Sequence, residues 1–293
     1  MKKKTAQDEQ FNLSILSVLA MILLLAASLT AILLDDGGGP YLFTTPRGEE
    51  VQIYGGAGLY QFDNTYKAIA FRSFDWANLV VVLPLFVAGL GLYRRGKFRG
   101  QLLLAALFSY LAYIYLIGVM GNAFNALFLV WTALFSIGGF GLCLTLTQMD
   151  FSAVPAKLAG NFPRKSVAVY VLAVGLILLA QYLGEVIAAY TTGNPPASLD
   201  HYTTLELASL ELGLMIPLHI IGGLALWKGK TWGYLTATLL AFASFMVFIA
   251  LSVSLLLFYL SFGRGDVLDM AMTTVIAVVA TGFSFVIFKR VQD

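Results

Sequence analysis

Eight stretches of this chain are apolar over about 18 residues or more, long enough as helices to cross the ~30 Å hydrocarbon core of a bilayer. They fall near residues 11–34, 76–93, 100–119, 123–146, 166–190, 207–227, 232–259 and 268–288. No soluble core absorbs eight such runs. The chain is 59% hydrophobic and 12% charged, where soluble domains are about a quarter charged. The fold class that follows is an all-α polytopic membrane protein of about eight transmembrane helices. In lipid each backbone polar group must be satisfied within its own segment, which helices do.

Lysine and arginine divide unequally between alternate loops. One side holds Lys2, Lys3, Lys4, Arg94, Arg95, Lys97, Arg99, Lys157, Arg164, Lys165, Lys228, Lys230, Lys289 and Arg290. The other holds only Arg47, Lys67, Arg72 and Arg264. Positive charge stays on the cytoplasmic side, so the N- and C-termini are expected to be cytoplasmic. The initial MKKK and its apolar run read as an anchor, because a run ending at Asp35-Asp36 is long for a secretory signal. Cleavage there would leave seven spans and an external N-terminus. The outer loop 35–75 opens with the turn signal DDGGGP. Its Val51, Ile53, Leu59, Tyr66, Ile69 and Phe71 among glycines read as short β-strands on the outer face.

LPLFVAGLGLYRRGKFRG and IPLHIIGGLALWKGKTWG are nearly the same sentence. Under a shift from Leu79 to Leu212, seven of 22 positions are identical: Leu79/Leu212, Pro84/Pro217, Leu85/Leu218, Gly89/Gly222, Gly96/Gly229, Lys97/Lys230 and Gly100/Gly233. One reading is a duplicated four-span unit, giving a 4+4 parallel internal repeat with halves 1–150 and 151–293. The other is convergence of two positive-inside hairpins on one turn. Asn78 in the first copy lies over Glu211 in the second, and Phe86 over His219.

Ionisable groups within a span cost several kcal/mol to bury and mark candidate sites. Glu185 and Glu211 both fall about 8 Å below the outer surface, from the 1.5 Å helical rise. Gln181 shares a face with Glu185, Tyr113 has similar depth, and Asn122 and Asn125 open the fourth span. Together they can form one polar layer that binds a ligand or ion, or a solvated vestibule. His219, eight residues after Glu211 and on a neighbouring face, is a relay partner or a buried histidine bonded to the next helix. Glu206 and Asp75 read as interfacial, and Asp266 and Asp269 as charges at a helix start.

The single cysteine, Cys143, reads as a small buried residue and excludes a disulfide framework or dithiol chemistry within the chain. With His201 in a polar loop, bis-histidine haem ligation within the membrane has no second ligand. Nothing calls for a cofactor, metal or catalytic site, and the net charge of +2 carries no nucleic-acid signal.

The stretch FRSFDWANLVVVLPLFVAGLGLYRRGKFRGQLLLAALFSYLAYIYLIG, followed by NALFLVWTALF, resembles a group of uncharacterised bacterial multi-pass inner-membrane proteins of unknown function. YLGEVIAAYTTGNPPASLD with LELGLMIP is similar to the same group. The resemblance implies a bacterial cytoplasmic membrane and brings no activity or site residue. The first functional expectation is a transporter or permease-like protein for a small solute or ion, with the bilayer as its constant partner. The second is a sensor or accessory subunit that binds a protein partner through its outer loop, and an enzyme comes last.

Overall fold

The computed structural model describes residues 2–36, 38–159, 162–263 and 265–293. Gly37 of the first turn signal and Arg264 lie outside the described residues, as do the side chains of Lys2, Lys3 and Lys4. Among the described residues eight helices are long and apolar enough to cross a membrane, the make-up of a multi-pass membrane protein. They are α1 (Lys2–Leu33), α2 (Thr65–Arg94), α3 (Phe98–Gly121), α4 (Phe128–Thr147), α5 (Arg164–Thr192), α6 (Glu206–Trp227), α7 (Thr231–Phe262) and α8 (Val267–Arg290). Between α1 and α2, β1 (Tyr41–Thr44) and β2 (Glu50–Ile53) form an antiparallel hairpin with Tyr41 opposite Ile53. Asp266 caps α8, accepting from the N–H groups of Leu268 and Asp269, as expected for charges at a helix start.

The loops gather at two ends. At the basic end, Arg99 donates to the carbonyl of Val291, Gln292 N–H donates to Lys157 O, and Tyr93 OH donates to Gln148. At the hairpin end, Asp63 accepts from Ala123 N–H and Tyr202 OH, and Arg47 donates to the carbonyls of Asp200 and Tyr202. α3 is the most enclosed helix, with 67% of its apolar stretch buried, and α7 follows at 44%.

α2 starts at Thr65, about three turns before the expected start near 76. Asn64 accepts a hydrogen bond from Lys67 N–H and caps it. Tyr66, Ile69 and Phe71 are therefore helical and not strand residues. Asp75, expected at the interface, is buried. Each charge that made this segment look like a loop has a partner. Lys67 pairs with Glu206 at 2.6 Å, Arg72 with Asp35 at 2.6 Å, and Asp75 accepts from Tyr60 OH. Cys143, expected buried, is exposed on α4. α4 is only 28% buried, and a small thiol suits an outward apolar face as well as a core.

α2 and α6 are each interrupted by a π-helical turn, at Asn78–Val82 and at Glu211–Met215. In both, the N–H five residues on returns to the carbonyl of the polar first residue: Leu83 to Asn78 and Ile216 to Glu211. Pro84 and Pro217 follow in the next turn. Proline cannot bond to the residue four before it and its ring crowds that carbonyl, so the helix widens ahead of it. The turns that follow also match. Gly96 and Gly229 adopt φ of +70° and +73°. A Cβ on Gly100 would lie 2.2 Å from Tyr93 N, and one on Gly233 2.3 Å from Leu226 N.

Before its π turn α2 packs mainly on α7, and after it on α3. α6 packs on α3 before its π turn and on α7 after it, and α3 and α7 touch each other.

Candidate functional site

A cavity of about 430 Å³ opens beside the π turn of α6. Its walls are the first part of α2, the middle of α3, α5 to α7, the start of α8 and the loop between α5 and α6. Most of the lining is apolar. Glu211 is the charged group beside the π turn.

Glu211 is 3% exposed. Tyr113 OH, from α3, donates to its Oε1. Its Oε2 is buried with no hydrogen-bond partner among the described residues. His219 is also buried and lines the same cavity. Its Nδ1 lies 2.8 Å from the carbonyl of Met215, a contact only an N–H can make. In the neutral imidazole this puts the proton on Nδ1 and leaves Nε2 as the acceptor. Nε2 too is buried without a partner among the described residues. Gly175 of α5 lets the two helices close on this point, because a Cβ there would lie 2.6 Å from His219 Cβ.

The π turn is what brings Glu211 and His219 onto one face. Two α-helical turns take about 7.2 residues and a π turn adds about one, so positions eight apart align. Read as plain α-helix, the sequence puts the pair on neighbouring faces. π turns often occur at functional sites for this reason, since they re-aim side chains without ending the helix.

At the cavity mouth Lys67 binds Glu206 and the carbonyl of Gly121, and its ammonium lies 3.8 Å from the centre of the Tyr202 ring. Asp63 anchors the same region. Burial pushes its carboxyl above the usual range, against the bonds from Ala123 N–H and Tyr202 OH. Burial and the nearby Asp63 likewise push the Tyr202 phenol up.

Of the residues singled out from the sequence, Tyr113, Gln181, Glu211 and His219 line this one cavity. Glu185 does not; it accepts from Ser198 N–H and holds the loop between α5 and α6. Asn122 donates to Asp63 at 3.5 Å, and Asn125 accepts from Leu127 N–H at the start of α4. Both stay with the loop between α3 and α4. Sequence reasoning missed Tyr182, Ser244 and Asp269, which also line the cavity. The available signals were an ionisable residue at the start of α8 and hydroxyls inside apolar runs. Among the described residues no three His, Cys, Asp or Glu side chains group as a metal site requires.

Asn78, which opens the π turn of α2, is also buried but has its hydrogen bonds made. Asn78 accepts from Tyr110 OH at 2.9 Å and donates to Ser28 and Tyr115. Nearby Asp75 accepts from Tyr60 OH, and the Tyr60 ring stacks on Trp131. Compared with known protein families, curated proteins and solved structures, the chain matches none.

Proposed function

We propose that the protein is a transporter or permease-like carrier of a small solute or ion, with its binding site in the cavity beside Glu211. The observation that carries this reading is a pair of buried polar atoms, Glu211 Oε2 and His219 Nε2, that have no partner among the described residues and belong to two side chains lining one cavity. An unsatisfied buried polar atom costs about 1–3 kcal/mol, so a fold that keeps two beside one cavity is suited to a ligand whose entry lets it supply the missing bonds.

The protein is built as a 4+4 parallel repeat, halves 1–150 and 151–293. Matched π turns, prolines and glycine contacts support this, as does the exchange of neighbours between α2 and α6 across α3 and α7. A pseudo-two-fold along the membrane normal produces that exchange. The basic end faces the cytoplasm with both termini, and the hairpin and cavity mouth face outward. The membrane is a bacterial inner membrane, the reading that the sequence resemblance favours.

The test is uptake and counterflow in proteoliposomes over a broad panel of small solutes and ions. Substrate-dependent flux is expected, reduced at least tenfold in Glu211→Gln. Absence of flux across the panel sinks the reading. A second reading, an accessory or sensor subunit, is favoured by the hairpin, where Tyr41, Leu42 and Phe43 are all exposed. Crosslinking in native membranes should then recover a stoichiometric partner on β1.

A further inference from the structure

We infer that the cavity beside Glu211 takes an organic monocation, an ammonium group on an apolar body. This rests on the reading above that the cavity is the ligand site, and it names the class of ligand. Three observations carry it.

The first is charge. The charged residues lining the cavity are Lys67, Asp200, Glu206, Glu211 and Asp269. The one cation, Lys67, is consumed by Glu206 and the carbonyl of Gly121. Asp200 has His201 beside it, and Glu211 and Asp269 remain, so the lining is acidic and an anion would meet carboxylates with no free lysine or arginine among the described lining residues. The second is the polar inventory. Glu211 has one oxygen satisfied by Tyr113 and one unpartnered, and an ammonium N–H bonded to Oε2 supplies both a hydrogen bond and the counter-charge that a buried carboxylate lacks. A sugar or other polyol would need many donors and acceptors, and the largely apolar walls do not provide them. The third is aromatic surface. Tyr66, Phe71, Phe74, Tyr113, Tyr182 and Phe248 line the cavity, and aromatic faces attract cations that have been stripped of water. In its neutral form His219, which lines the same cavity, adds a second unpartnered acceptor, Nε2, beside Glu211.

The size suits the class. A cavity of about 430 Å³ lies in the range of small-molecule sites, roughly 300–1,000 Å³, and is far larger than a bare metal ion requires.

The experiment uses three probes of nearly one shape: 2-phenylethylammonium, neutral 2-phenylethanol and anionic phenylacetate. Binding to the full-length protein in nanodiscs is measured by titration calorimetry at neutral pH. The cation should bind at least tenfold more tightly than the alcohol, with phenylacetate weakest. Glu211→Gln should bring cation and alcohol to within about twofold of each other, while Tyr113→Phe should keep the preference for the cation. The probe series on the wild-type protein decides the matter even if Glu211→Gln fails to fold. Equal binding of cation and alcohol, tighter binding of phenylacetate, or no binding of the cation overturns the inference. The transport reading fails separately: cation binding without flux of any solute removes transport and keeps the site, whereas flux of neutral or anionic solutes without cation binding does the reverse.

Discussion

Asn78 and Glu211 open the same π turn in two helices, yet one faces a packed polar knot and the other a cavity. Around Asn78 the space is filled by Tyr110, Tyr115 and the Tyr60–Trp131 stack. The positions matching Tyr110 and Tyr115 under the same shift are Ala243 and Phe248. Tyrosine to alanine removes a ring and a hydroxyl, and tyrosine to phenylalanine removes a hydroxyl. The surroundings of the α6 turn therefore have room, and its polar residue lacks the two partners that Asn78 has. One backbone device supports a satisfied polar core in one place and a half-unsatisfied carboxylate beside a cavity in the other. Polar satisfaction, and not the π turn, separates the two.

The largest effect should come from removing the polar residue itself. Asn78→Leu leaves the buried Tyr110 hydroxyl without its acceptor and also removes the bonds to Ser28 and Tyr115, and should cost about 2–3 kcal/mol, near the upper end for an orphaned buried group. Glu211→Leu removes a carboxylate that was already half unsatisfied but leaves the Tyr113 hydroxyl without its acceptor. The two effects offset, so it should be near neutral, within about 1 kcal/mol. Unfolding of both variants in mixed micelles measures the difference. Equal costs at the two sites would erase the distinction.

Gly100 and Gly233 ask whether the two matched helix turns are mechanically equal. Gly100→Ala and Gly233→Ala each push a methyl against the backbone of the preceding helix, so each should destabilise by about 1–3 kcal/mol, and by the same amount within error. A large cost at one and none at the other would mean the matched turns bear unequal strain.

The spans and the two sets of loops were legible because apolar length and lysine-arginine bias are summed over many residues and survive local error. The start of α2 was not, since Lys67, Arg72 and Asp75 read as loop charges until Glu206, Asp35 and Tyr60 are seen to neutralise them. The π turns were invisible, because inserting one residue into an apolar helix leaves no trace in its hydrophobic period. Hence Glu211 and His219 were both noticed, but on different faces. Glu185 was grouped with Glu211 by depth alone, and depth does not say which way a helix faces. The cavity walls from α7 were illegible for a related reason. A helix that is apolar all round carries no stripe to mark the side that meets a ligand.

Lys67 and Glu206 sharpen the comparison at the mouth, where they tie α2 to α6. Both side chains are 14% exposed, so their double-mutant cycle should give a coupling of about 1–2 kcal/mol. The Arg47–Glu49 pair on the hairpin, 29% and 41% exposed, should give about 0–1 kcal/mol. Breaking the clasp with Lys67→Met should also speed ligand exchange at the cavity if the mouth gates it, which stopped-flow binding would read.

The smallest effect concerns pH, and its sign follows from Asp63. Burial raises this carboxyl above its ordinary value of 3.8 in the folded protein. The folded state therefore holds the proton more firmly than the unfolded chain does. By linkage, this group's contribution to stability is full below the unfolded value and is lost as pH rises through the folded one. Asp63→Asn should flatten that part of the pH profile. Ala123 N–H and Tyr202 OH both bond Oδ1, and the amide oxygen can accept from both, so the loss of stability near pH 4 should be small. Thermal unfolding across the acid range measures both slopes. An unchanged slope in Asp63→Asn would shift the pH response to another group, and a slope of opposite sign would mean that the bonds from Ala123 and Tyr202 outweigh burial at the mouth of the open site.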